Sequence, residues 1–192
     1  MGGEKDKSQK FLYFYRRLRL TLFRVFCSLK DEFAQSKFRV VGIEEQIKEN
    51  GKIMPISIEI ADNHNLTISG KIDRVDCYES EEGNFVRIVD YKSGHKEFDL
   101  SQMAEGLNLQ MLLYLFAIWR TDNDKYSNVS PAGILYMPVG NPTPNLDRGE
   151  EDKEQKNYVM SGLLLSDNRV LCAMEKDLGG KYLPIGILLS IL

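Results

Sequence analysis

The chain has 192 residues, 43% of them hydrophobic, 28% charged and 10% aromatic. This is an ordinary globular composition, which excludes disorder, collagen or coiled coil as the main state and suits one domain with a real core. With 25 Lys and Arg against 28 Asp and Glu the net charge is -3, which excludes a strongly basic clamp that holds DNA without regard to sequence. Nucleic acid as such stays open, because carboxylates that hold a metal also add negative charge.

Residues 1–7 read as a flexible start, and the polar opening carries no secretory signal. From Ser8 to about Gln35, Phe11, Leu18, Leu22, Val25, Leu29 and Phe33 recur at spacings of three, four or seven and predict a helix. Arg16, Arg17, Arg19 and Arg24 lie in a stretch without acidic residues, so the helix is basic and amphipathic. Core packing with a solvated face is its first reading, and a phosphate-contacting or partner-docking face its second. Alternation predicts strands over 38–48, 53–60, 66–78 and 85–92, joined by tight polar turns. Asp99 and Ser101 signal the start of a long helix, apolar nearly all round, that runs to about Arg120. A strand is expected over 131–139, a mobile surface loop over 140–157, and a short helix after Ser166. The last twelve residues are apolar and read as a strand or a cut end.

The longest apolar stretches, around Leu112–Trp119 and Ile185–Leu192, are too short to span a bilayer, and a soluble cytoplasmic protein is expected. Cys27, Cys77 and Cys172 are far apart and lack C-x-x-C spacing, so free or buried thiols are expected rather than disulfides or a zinc site. The order of elements argues for one mixed α/β domain, a central sheet covered by helices.

The chemistry concentrates in Gly70-Lys71-Ile72-Asp73-Arg74-Val75-Asp76 and Val89-Asp90-Tyr91-Lys92-Ser93-Gly94. If Glu79 opposes Asn84 across a hairpin turn, Tyr78 faces Phe85, Cys77 faces Val86, Asp76 faces Arg87 and Val75 faces Ile88, all favourable cross-strand pairs. The same register sets Asp73 against Asp90, with Cβ atoms roughly 4.5–5.5 Å apart, and brings Lys71 against Lys92, a clash that splaying or a phosphate would relieve. Two carboxylates so close repel unless a divalent cation bridges them or one stays protonated, and hard oxygen donors favour Mg²⁺ or Mn²⁺. Lys92 shares a strand face with Asp90, where its ammonium can orient water or stabilise a phosphate. Two acids and a lysine on one face form a phosphodiester-hydrolysis arrangement; an ordinary salt-bridge ladder is the alternative. Glu44, on the preceding strand, is a candidate third carboxylate. Gln110 and Tyr114, at i and i+4, share a helix face, and a buried glutamine needs partners. His64 and His95 lie in loops without a second histidine at ligand spacing, and neither a P-loop nor a G-x-S-x-G elbow occurs.

These two segments, followed by Gly106-Leu107-Asn108-Leu109-Gln110-Met111-Leu112-Leu113-Tyr114-Leu115, resemble the RecB-type nucleases of the PD-(D/E)XK superfamily, in particular the nuclease domains of the AddB type. The similarity is specific over about 38–139 and looser over 8–37 and 158–178. It implies a restriction-endonuclease-like α/β core, a mixed sheet with an antiparallel hairpin flanked by helices, within a single nuclease domain fragment. It further implies that Asp73 and Asp90, with the Tyr91 carbonyl and Glu44, hold Mg²⁺ or Mn²⁺ and that Lys92 is the catalytic lysine. Gln110 and Tyr114 would support the site and contact DNA, with Arg74 as a further DNA contact. The implied activity is exonucleolytic cleavage of DNA, single-stranded above all, beside an AddA-type helicase in double-strand-break repair by recombination. Many members carry a further ligand, often a histidine, well upstream of the first Asp, and AddB-type domains carry a four-cysteine 4Fe-4S cluster. Neither has its counterpart in this chain. The rival readings are a free-standing RecB-family nuclease and a non-catalytic docking or DNA-guiding module with the nuclease fold.

Overall fold

A computed structural model describes residues 8–61, 64–93, 101–102, 105, 109–140 and 158–183. Helix α1 (Gln9–Gln35) is capped by Ser8, whose hydroxyl accepts the Phe11 N–H at 3.3 Å. Strands β1 (Arg39–Ile47), β2 (Ile56–Ala61), β3 (His64–Ile68), β4 (Gly70–Ser80) and β5 (Gly83–Lys92) follow. Helix α2 (Gln110–Trp119), strands β6 (Val129–Pro138) and β7 (Ser161–Leu164), and helix α3 (Asn168–Met174) complete the described elements.

Five strands form one sheet in the order β1-β4-β5-β6-β7, and β2 and β3 form a separate hairpin. The β1–β4, β4–β5 and β6–β7 pairs are antiparallel and β5–β6 is parallel, so the sheet is mixed. A parallel neighbour requires a crossover, and α2 lies in the connection between β5 and β6.

The sheet separates two apolar layers, as strand alternation dictates. Phe85 and Val89 of β5 face a layer with Phe38, Leu135, Val170 and Met174. Val86 and Ile88 face the other, with Val75, Ile134, Tyr114 and Ile118. Helix α1 joins the first layer only through its C-terminal half. Val25 is buried and Leu29 packs on the cluster, whereas Phe11, Leu18 and Leu22 of the same stripe are 47%, 57% and 47% exposed. The apolar stripe is therefore buried only from Val25 onward, with Thr21 the first buried residue of the helix.

Three further expectations need correction. The strand foreseen over 66–78 is two strands broken at Ser69, because its first part pairs with β2 and its second with β1 and β5. The helix foreseen from Ser101 is not continuous: Glu105 and Leu109 are in turns, and Gly106 and Asn108, both weak helix formers, fall between them. Strand β7 was not foreseen, being four residues with a glycine, too short to show a period. The loop at 141–157, Gly94, His95, Asp99 and the tail at 184–192 lie outside the described residues.

A buried charge cluster fastens α1 to the sheet. Arg74 Nη2 donates to Asp76 Oδ2 at 2.9 Å, Arg87 Nε donates to the same oxygen at 3.0 Å, and Glu32 of α1 pairs with Arg87. Two arginines and two carboxylates cancel in charge, the condition under which such groups can be buried.

Candidate active site

The β4–β5 pairing reproduces the foreseen register from Arg74↔Val89 to Ser80↔Gly83, including Asp76↔Arg87 and Tyr78↔Phe85. One residue beyond Arg74 and Val89 come Asp73 and Asp90. There the Asp73 carboxylate takes a backbone group across the hairpin: Tyr91 N–H donates to Asp73 Oδ2 at 3.0 Å. By alternation Asp73, Asp90 and Lys92 share the α2 side of the sheet with Val75 and Ile88. The Lys92 ammonium is ion-paired with Asp90 Oδ2. That oxygen is sealed from solvent and accepts no well-formed hydrogen bond.

Lys71 does not oppose Lys92 as a bare like charge. Its ammonium lies 3.1 Å from Glu44 Oε1, on the β1 side. Glu44 sits between Ile43, paired with Arg74, and Glu45, paired with Ile72, and so runs beside Asp73. Its backbone takes φ +53°, and its side chain is largely exposed. Among the described residues no three His, Cys, Asp or Glu side chains group closely enough to hold a metal together. Glu44 is thus a neighbour of the candidate site, with its carboxylate engaged by Lys71.

Tyr91 turns its ring to the opposite side of the sheet, where its hydroxyl accepts from Arg74 Nη1 at 3.1 Å. Arg74, expected to reach DNA, is 2% exposed, and its guanidinium faces Asp76, Tyr91 and the Phe33 ring. Burial pulls its pKa down, but Asp76, Tyr91 and Glu32 outweigh that and raise it above the ordinary value. Arg74 thus contacts Tyr91, whose backbone amide donates to Asp73.

Gln110 and Tyr114 meet as their spacing requires: Gln110 Nε2 donates to Tyr114 Oη at 2.7 Å. The phenol lies against the backbone of Gly70, where an added Cβ would stand 1.9 Å from Oη. Gly70 is a residue whose function the sequence reading missed. Its signal was a glycine opening a strand three positions before the first acid, a mark of close approach. Also unforeseen, Tyr136 of β6 pairs in register with Asp90 and places its ring under Lys92 Nζ, 5.6 Å from the centroid.

A cavity of about 310 Å³ between α2, β6 and β7 is lined by Leu112, Leu115, Phe116, Ile134, Leu163 and Leu165 among others, none of them titratable. The carboxylate oxygens of Asp73 and Asp90, adjacent on one sheet face, suit a hard divalent cation. The three cysteines do not suit a four-thiolate cluster: Cys27 lies on α1, Cys77 on β4 and Cys172 on α3.

The model of the PD-(D/E)XK nuclease superfamily matches residues 3–176. Relatives named as a subunit of an ATP-dependent helicase/deoxyribonuclease are 36% identical in Acetivibrio thermocellus, 34% in Clostridium acetobutylicum and 32% in Clostridioides difficile. These alignments cover 95–96% of this chain and 16–17% of the relatives, so the chain spans about one sixth of their length. The match covers most of the chain and the fold agrees with it: the chain belongs to the PD-(D/E)XK nuclease superfamily.

Proposed function

We propose that the chain is a metal-dependent exodeoxyribonuclease domain of a helicase–nuclease complex. It hydrolyses phosphodiester bonds of DNA, single-stranded above all, beside an AddA-type helicase during double-strand-break repair by recombination in the cytoplasm. The observation that carries this reading is the Asp73 carboxylate held at the amide of Tyr91, directly beside the Asp90–Lys92 ion pair on one sheet face.

Asp73 and Asp90, with the Tyr91 carbonyl, are the residues to hold Mg²⁺ or Mn²⁺. Two carboxylates suffice, since Mg²⁺ usually binds through one or two and keeps several waters. When bound, the cation neutralises phosphate charge and acidifies water. Lys92 keeps its ammonium on the same face, where it orients the attacking water and stabilises the phosphate oxygens as the new P–O bond forms. The attacking water gives up its proton to solvent, the P–O3′ bond breaks and O3′ takes a proton from solvent. Gln110 and Tyr114 brace the start of β4 and contact the strand. The names of the relatives, each a subunit of an ATP-dependent helicase/deoxyribonuclease, support the setting.

The test is end-labelled single-stranded DNA incubated with the chain alone and within the full helicase–nuclease complex. Shortening is expected with Mg²⁺ and is abolished by EDTA, by Asp90→Ala and by Lys92→Ala. If the complex degrades both strands equally well with Asp90→Ala, the domain is a non-catalytic docking or DNA-guiding module. Activity of the chain without any helicase would favour a free-standing nuclease.

A further inference from the structure

We infer that Tyr136 is the positioning residue for Lys92: its ring is the floor on which the ammonium rests within the nuclease site. The inference rests on the nuclease reading above for its consequence, though not for its geometry. Tyr136 is 6% exposed and belongs to the apolar layer under α2. It is the β6 residue in parallel register with Asp90, so it shares the strand face that carries Asp90 and Lys92. Lys92 Nζ stands over the ring at 5.6 Å from its centroid, within the range where a cation is drawn to an aromatic face.

A lysine needs such a floor. Its four-carbon stem turns freely and its ammonium has no fixed fork to orient it. In this structure Asp90 supplies one anchor. A cation taking the Asp90 oxygens would compete with the ammonium for them, so that anchor weakens when the site is loaded. The ring is packed in the core and makes no such exchange. The sequence alone does not show this, because the partner across a parallel pair is set by the crossover and not by a turn.

Two measurements test it. In NMR of the metal-free chain, the Lys92 Hε protons should be shifted upfield by the ring current. The shift should persist in Tyr136→Phe and vanish in Tyr136→Leu. In the full complex, Tyr136→Leu should lower kcat on single-stranded DNA by on the order of a hundredfold, the scale of a small misplacement. KM and Mn²⁺ affinity should stay unchanged, and Tyr136→Phe should restore most of the rate. A Lys92 signal without an upfield shift in the native chain overturns the contact, whether or not Tyr136→Leu folds. A wild-type rate in folded Tyr136→Leu, or equal damage in Tyr136→Phe, overturns the positioning role. A native complex that cuts no DNA would overturn the nuclease reading, while the NMR comparison would still decide the contact.

Discussion

Gly70 and Tyr114 occupy the same small space: a methyl group at residue 70 would meet the phenol oxygen at 1.9 Å and the ring carbon behind it at 2.4 Å. Gly70→Ala must push the ring off the start of β4, and overpacking of this kind costs about 1–3 kcal/mol. We expect a lower urea midpoint for Gly70→Ala, and a smaller loss for Tyr114→Phe, which gives up only the hydrogen bond from Gln110, about 1 kcal/mol. Cys77 makes a second prediction. Burial, with Glu79 and Asp76 nearby, pushes its thiol up to about 11. At pH 8 only about one molecule in a thousand carries the thiolate at this position. Iodoacetamide at pH 8 should label exposed Cys27 and Cys172 and spare Cys77, and Cys77 labelling should climb as pH rises towards 11; peptide mass spectrometry reads both. Early labelling of Cys77 at pH 8 would contradict its burial. At this scale Asp73, Asp90 and Lys92 were legible because a short turn and strict alternation fix who faces whom. The fates of Arg74 and Glu44 were not. One depends on a distant helix supplying Glu32, the other on Lys71 turning towards β1.

At the level of elements, the β4–β5 hairpin carries the candidate site and α1 clamps its reverse side. Glu32, Arg87, Asp76 and Arg74 are each no more than 3% exposed, so loss of one charge strands the others. Removing one member of a buried pair typically costs about 3–5 kcal/mol. Arg87→Met should fall near the lower end, since Arg74 still touches Asp76 at 2.9 Å and lies 3.7 Å from Glu32. The check is urea unfolding followed by circular dichroism. An unchanged midpoint would mean that the cluster does not hold α1 in place. The antiparallel β4–β5 pair was readable from sequence, as were α1, β1 and α3 in outline, whereas the β1–β4 pair was not foreseen. The split between β3 and β4 was not readable, because both halves alternate alike and only their choice of partner separates them. The parallel β6 neighbour was equally hidden, since no turn length sets its register.

For the molecule as a whole, the first turns of α1 carry an unusual load. Phe11, Phe14, Tyr15, Leu18, Leu22 and Phe26 are all about half exposed or more, and they extend the stripe that Val25 and Leu29 continue into the core. A contiguous apolar surface of this kind binds the dye ANS. The triple change Phe14→Ser, Leu18→Ser, Leu22→Ser should cut ANS fluorescence. Stability should move by only about 0.5 kcal/mol, the scale of surface changes. A large loss of stability would mean that these turns are packed in solution. Composition gave no warning, because the same stripe reads as core whether or not a surface lies beneath it.

The way Asp73 is fastened has one more result. The Tyr91 amide gives its proton to that carboxylate, so anything drawing the carboxylate aside also releases the amide. A single ¹⁵N resonance thereby becomes a built-in gauge of occupancy, readable by titration with neither nucleic acid nor turnover in the tube.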